Sequence, residues 1–232
     1  MSSRPTLLKF LDGLTAVMLV TGAALMLFYA PMERVMGWVQ KVFYFHVASA
    51  WLGMLSFIVA AVFGVLYLLK KDMKWDRIEL SAIEIGIVFA VITIVSGSIW
   101  ARPIWNTWWT WDPRLTTATI MLLVYVAYMM LRGSLDDPEK RARFGAVYAI
   151  LGCLSVPLTF FSIRLFRTIH PVVIGSNSAG SMGAFDMSPK MSQTFIFALI
   201  TFTVFFITLL WHRVRVANLN DKVEQLKLAQ ED

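Results

Sequence analysis

Residues 42–69 read Val-Phe-Tyr-Phe-His-Val-Ala-Ser-Ala-Trp-Leu-Gly-Met-Leu-Ser-Phe-Ile-Val-Ala-Ala-Val-Phe-Gly-Val-Leu-Tyr-Leu-Leu, with Lys41 before them and Lys70 after. No Asp, Glu, Lys or Arg interrupts the run, which exceeds the ~20 apolar residues that a helix needs to cross a hydrocarbon core about 30 Å thick. It is apolar on consecutive positions and lacks the alternation of a barrel strand, so it reads as a membrane-spanning helix.

Five further stretches qualify: residues 11–29, 81–100, 116–131, 144–162 and 193–211. The composition agrees. Of 232 residues, 58% are hydrophobic and 16% charged, and the mean hydropathy is +0.66. Soluble domains run at about 45–50% apolar and about 25% charged, so a soluble enzyme, a disordered regulator and a disulfide-stapled secreted domain are excluded. The fold class expected is all-α: one polytopic membrane domain of six helices over residues 1–232. Arg4 and Lys9 precede the first stretch as in a signal peptide, but Phe28-Tyr29-Ala30-Pro31 is a poor cleavage site.

With the N-terminus inside, the inner segments carry 14 Lys and Arg and the outer ones 7. This bias predicts both termini in the cytoplasm. It assigns residues 101–116 and 163–192 to the outside and the tail, residues 212–232, to the inside. The inner connections 70–79 and 132–143 read as solvated loops. The tail carries Val216, Leu219, Val223 and Leu226 at helical spacing and reads as a cytoplasmic helix. The net charge of +6 reflects this topology and calls for no nucleic acid. No span carries a line of charges as a channel would, and Glu84 reads as interfacial.

The first outer segment is the most informative: Trp100-Ala-Arg102-Pro-Ile-Trp105-Asn106-Thr-Trp108-Trp109-Thr-Trp111-Asp112-Pro113-Arg114-Leu-Thr116. Five of the nine tryptophans fall in twelve residues. An interfacial aromatic belt is one explanation. As a short interfacial helix, the segment would put Trp105, Trp108 and Trp109 on one face, a shelf suited to a large planar apolar ligand such as a porphyrin or a quinone. Asp112-Pro113 is a good helix start, and Asp112 could instead contact ligand. Arg102 and Arg114 could pair with Asp112, bind the phosphates of membrane lipid, or clamp ligand carboxylates.

There are three histidines. His212 follows the last span on the inner side. His46 starts the second span and His170 follows the fifth, so parity puts both on the outer face with the tryptophans. Two neutral imidazoles could ligate the iron of a planar tetrapyrrole, whereas no third and fourth ligand for zinc is evident. The Ser/Gly/Met-rich stretch 175–183 reads as a mobile loop, with Met182 or Met187 a lesser candidate for iron. The lone Cys153 can form neither an internal disulfide nor the Cys-x-x-Cys-His attachment of c-type haem.

The run Trp105–Thr116 resembles the tryptophan-rich WWD signature of haem-handling proteins in cytochrome c biogenesis. With Phe43-Tyr44-Phe45-His46-Val47 before it and His170 after it, the six-span chain is similar to the cytochrome c maturation protein C (CcmC) family. The resemblance implies that haem b is held at the outer face of the bacterial inner membrane, with His46 and His170 as axial ligands. Trp105, Trp108, Trp109, Trp111, Asp112 and Arg114 would present it. It also implies partners: a periplasmic haem chaperone that receives the haem, the ATPase and permease subunits of an ABC transporter, and a small single-span membrane protein. ATP would be hydrolysed by those partners, and this chain would supply no catalytic residue. Asn106 stands where the family motif has Gly, and Asn tolerates φ > 0 better than other non-Gly residues. Two other readings of the residues are a b-type cytochrome exchanging electrons with quinone, and a cofactor-free subunit whose indoles dock a protein.

Overall fold

The structure, a computed structural model, describes residues 4–34, 36–171 and 187–231. Six helical segments are long and apolar enough to cross a bilayer. They are α1 (Thr6–Ala24, continued by a π turn, Leu25–Tyr29), α2 (Val42–Lys70), α3 (Met73–Trp105), α4 (Pro113–Gly133), the broken pair α5 (Pro138–Gly152) and α6 (Ser155–Leu165), and α7 (Pro189–Glu231). The described residues contain no β-strand, so the chain is an all-α polytopic membrane protein.

Local chemistry sets the helix ends. Lys71, at φ 54°, closes α2 in the left-handed region. Asp72 then caps α3 by accepting from the Lys74 N–H, so a two-residue link turns the chain back. Asp112-Pro113 and Asp137-Pro138 open α4 and α5 in the same way, an Asp side chain accepting first-turn N–H groups and Pro supplying the first helical φ. The end of α3 corrects one expectation. No interfacial helix forms from the tryptophans: α3 runs on through Trp105, Asn106 at φ 52° stops it, and residues 106–112 are non-helical. Trp105, Trp108 and Trp109 therefore share no helix face. Asn at this left-handed position does what Gly would do elsewhere.

α2 and α3 form the centre of the bundle. Phe57 stacks on Tyr125 of α4, the rings 3.6 Å apart and 3° from parallel. Gly86 makes room for this pair: a Cβ there would lie 2.5 Å from Phe57 Cε1. The Phe57 ring is clamped from its other face and cannot withdraw, so Gly86→Ala is expected to cost about 1–3 kcal/mol by overpacking. Gly13→Ala, whose Cβ would meet nothing within 4 Å, serves as control. Thermal unfolding in detergent checks this; equal midpoints for the two variants would refute it.

The end of the bundle away from the tryptophan segment carries a second correction. The connections 70–79 and 132–143 are not simply solvated. Asp76 and Glu79 lie in the first turns of α3, 4% and 0% exposed, and Arg132 at the end of α4 is 7% exposed. Arg132 donates to both Asp76 oxygens at 2.5 and 3.0 Å, and the Tyr128 hydroxyl donates to Glu79 at 2.9 Å. α1 lies to one side and is held by α7 through Thr15–Thr208 at 2.9 Å and Asp12–His212 at 2.6 Å. Glu84 pairs with Arg213, also of α7, at 2.6 Å. His212 thus joins α7 to α1, away from the other two histidines.

Candidate functional site

At the end that bears the tryptophan segment, the outer end by the charge count, α2, α3, α4, α6 and α7 surround a cavity of about 1310 Å³ including its open mouth. Its walls are mainly apolar, with Phe43, Trp51, Trp100, Phe160, Phe195 and Leu199 among them. His46, His170, Trp105, Trp109 and Arg114 all line it. Helix parity had placed these groups on one face, and the structure brings them to one space.

His46 projects from the first turns of α2 against α3. Its Nδ1 lies 3.1 Å from Ser96 Oγ, and its ring centroid is 5.8 Å from that of Trp100. Gly97 permits this approach, since a Cβ there would lie 2.9 Å from His46 Cε1. With Nδ1 engaged, Nε2 is the nitrogen left to the cavity.

His170 sits on a non-helical segment that one carboxylate anchors. Asp112 caps α4 by accepting from the Arg114 N–H at 2.9 Å. Its other oxygen accepts from the Thr168 hydroxyl and, at 3.0 Å, from the Ile169 N–H. His170 Nδ1 is 3.3 Å from Asp112 Oδ1. The sequence set capping against ligand contact for Asp112; the structure shows the cap, and the second oxygen holds the segment that carries His170. Burial works against its ionisation, but the adjacent His170 ring and the hydrogen bonds from Thr168, Arg114 and Ile169 outweigh it and hold the carboxyl well below the ordinary carboxylate range. A carboxylate only accepts, so its place beside Nδ1 favours a proton on that nitrogen and the lone pair on Nε2, the arrangement that orients imidazole ligands at metals.

The rings between the two histidines are continuous: Trp100 to Trp105 at 6.4 Å and Trp105 to His170 at 5.4 Å. Arg114 donates from one guanidinium nitrogen to the carbonyls of Thr159 and Phe160, at 2.6 and 3.1 Å, which ties α4 to α6. Arg164 is also at the wall. Arg102, Trp108, Trp111 and Met187 stand apart from the cavity lining, as does Asp112. Arg102 is turned back onto Asn106 and lies 6.0 Å from the Trp108 ring. Trp108 and Trp111 are exposed, at 58% and 78%. Met187 packs with the neighbouring cluster of Phe43, Trp100 and Phe195. Met182 and the stretch 175–183 lie outside the described residues.

Ser96, Gly97, Trp100, Trp51, Thr168 and Arg164 were not singled out from the sequence. Ser96 stands 50 residues from His46 and Thr168 stands 56 from Asp112, so no local spacing marks either pair. Trp100 could have been found, because it opens the same tryptophan cluster.

A family model described as heme exporter protein C matches residues 1–229. The chain is 30% identical over 226 residues to a heme exporter protein C of Bradyrhizobium diazoefficiens, covering 96% of this chain and 83% of that protein. It is 30% identical over 184 residues to a putative cytochrome c biosynthesis ccmC-like mitochondrial protein of Marchantia polymorpha, covering 79% and 75%. With the heme exporter protein C of Escherichia coli K12 the identity is 32% over 146 residues, covering 61% and 58%.

Proposed function

The chain belongs to the heme exporter protein C (CcmC) family, and from this premise we propose that it handles haem for cytochrome c maturation, holding it in the outer cavity and handing it on. The cargo is haem b, with His46 and His170 as its axial ligands. The observation that carries this reading is that both imidazoles line one cavity, His46 with Nδ1 at 3.1 Å from the Ser96 hydroxyl and His170 with Nδ1 at 3.3 Å from the Asp112 carboxylate. The apolar walls and the Trp100–Trp105 rings suit a flat macrocycle and exclude water from its faces. Arg114 retains guanidinium donors beyond the one spent on Thr159 and Phe160, and these suit a propionate. Trp108 and Trp111, exposed beside the mouth, suit contact with an arriving protein or the membrane interface.

In this reading the chain sits in the bacterial inner membrane with both termini cytoplasmic. The haem leaves with a periplasmic chaperone, on which the covalent bond forms. An ABC transporter pair and a small single-span protein complete the assembly, and ATP is hydrolysed there. This chain contributes orientation and local concentration.

The test is the absorption spectrum and haem-to-protein ratio of detergent-purified protein, followed by incubation with the partners and chaperone. A bis-histidine spectrum that fades as haem appears on the chaperone is the expected result. Haem that changes oxidation state but never leaves would favour the b-type cytochrome. Absence of a Soret band despite ample haem and co-expressed partners would leave a docking subunit.

A further inference from the structure

Ser96 and Gly97 touch His46 but neither would reach an iron. Ser96 is 7% exposed, and its hydroxyl has two neighbours: the Thr93 carbonyl at 3.2 Å and His46 Nδ1 at 3.1 Å. A serine hydroxyl has one proton to donate. The carbonyl can only accept, whereas an imidazole nitrogen can donate or accept according to tautomer. Both hydrogen bonds form together in one arrangement alone: Oγ–H donates to Thr93 O, and His46 Nδ1–H donates to Oγ. The lone pair of His46 is then on Nε2.

We propose that Ser96 is a positioning residue that sets the His46 tautomer through the Thr93 carbonyl and so turns a bare Nε2 to the cavity, with Gly97 keeping the ring in that pose. The proposal rests on the reading of His46 as a haem ligand and adds what makes it a competent one. It also makes the two histidines unlike. His170 Nδ1 faces a carboxylate oxygen 3.3 Å away, whose negative charge raises ligand basicity. His46 donates to a neutral hydroxyl, which sets the tautomer with much less of that effect.

Two measurements on the full-length protein in detergent test it. In haem-free protein carrying ¹⁵N-labelled histidine, the His46 ring resonances report which nitrogen holds the proton. Wild type and Ser96→Thr should show Nδ1–H, and Ser96→Ala a mixture of tautomers. Titration with ferric haem b then reads affinity, and electron paramagnetic resonance reads the ligand field. Loss of such a supporting hydrogen bond weakens metal binding by about 10- to 100-fold. Ser96→Ala should therefore lose affinity in that range and shift the low-spin g-values, while Ser96→Thr restores both. Gly97→Ala should shift the g-values with the hydroxyl still present. A Ser96→Ala protein with wild-type tautomer, affinity and g-values overturns the proposal while leaving His46 as ligand, provided His46→Ala loses the low-spin signal. A His46→Ala protein that keeps that signal overturns the underlying reading as well.

Discussion

Replacing either His46 or His170 by alanine is expected to abolish the six-coordinate low-spin spectrum of the haem-loaded protein and to weaken haem binding by more than about a hundredfold. The magnitude follows because losing only a supporting partner of a metal-bound imidazole costs about 10- to 100-fold, and losing the imidazole must cost more. The two variants should differ in their structural consequences. Alanine at 170 leaves Asp112 its contacts with Arg114, Thr168 and Ile169, so the outer segment stays docked. Alanine at 46 opens a hole between α2 and α3 beside Ser96 and Gly97. Exogenous imidazole should restore the spectrum in either background by filling the vacated space. Retention of the bis-histidine spectrum in either variant, with protein of normal yield, would remove that residue from the ligand set.

The second large effect is expected at the opposite end. Asp76→Ala leaves the Arg132 guanidinium buried without the carboxylate that takes two of its hydrogen bonds, at 2.5 and 3.0 Å. Breaking a buried pair from one side typically costs about 3–5 kcal/mol, whereas replacing both partners by apolar groups of similar volume is often neutral. Asp76→Ala should therefore lower the thermal midpoint in detergent by more than any single change at the cavity. The double variant Asp76→Leu/Arg132→Met should recover most of the loss, and this non-additivity is the signature of direct coupling. Additive losses would mean that the pair contributes little as a pair. The space around Arg132 is tight as well: a Cβ on Gly145 would lie 2.6 Å from one guanidinium nitrogen.

What was legible in the sequence is explained by the two solvents. Uninterrupted apolar runs disclose helices wherever lipid replaces water, and the six spans follow from that alone. The convergence of His46, His170 and the tryptophans followed from counting crossings. Interactions that depend on distant pairing were not legible. Asp76, Glu79 and Arg132 look like loop charges because charge is normally solvated, and only the packing of α4 against α3 shows that Arg132 pairs with Asp76 and that Glu79 takes the Tyr128 hydroxyl. The tryptophan segment was misread as helical because the indole spacing fitted a helix face, although Asn106 and Asp112-Pro113 hold a stop and a start between which seven residues run without helix. The Ser96 contact with His46 was invisible for the reason the Asp76 pair was: its meaning lies 50 positions away.

The convergence on Asp112 has a consequence for how the protein is made. The carboxylate stands just before the fourth span, but Thr168, Ile169 and His170 lie 56 to 58 residues further along the chain. At roughly 5–20 residues per second of synthesis, the nascent chain spends several seconds with the fourth span complete and its acidic cap still waiting for these partners. They reach it only after the fifth span has been threaded through the bilayer. This wall of the cavity is thus among the last parts of the molecule to close, and a chain truncated before residue 168 would insert most of its helices yet leave the receptacle permanently open on one side.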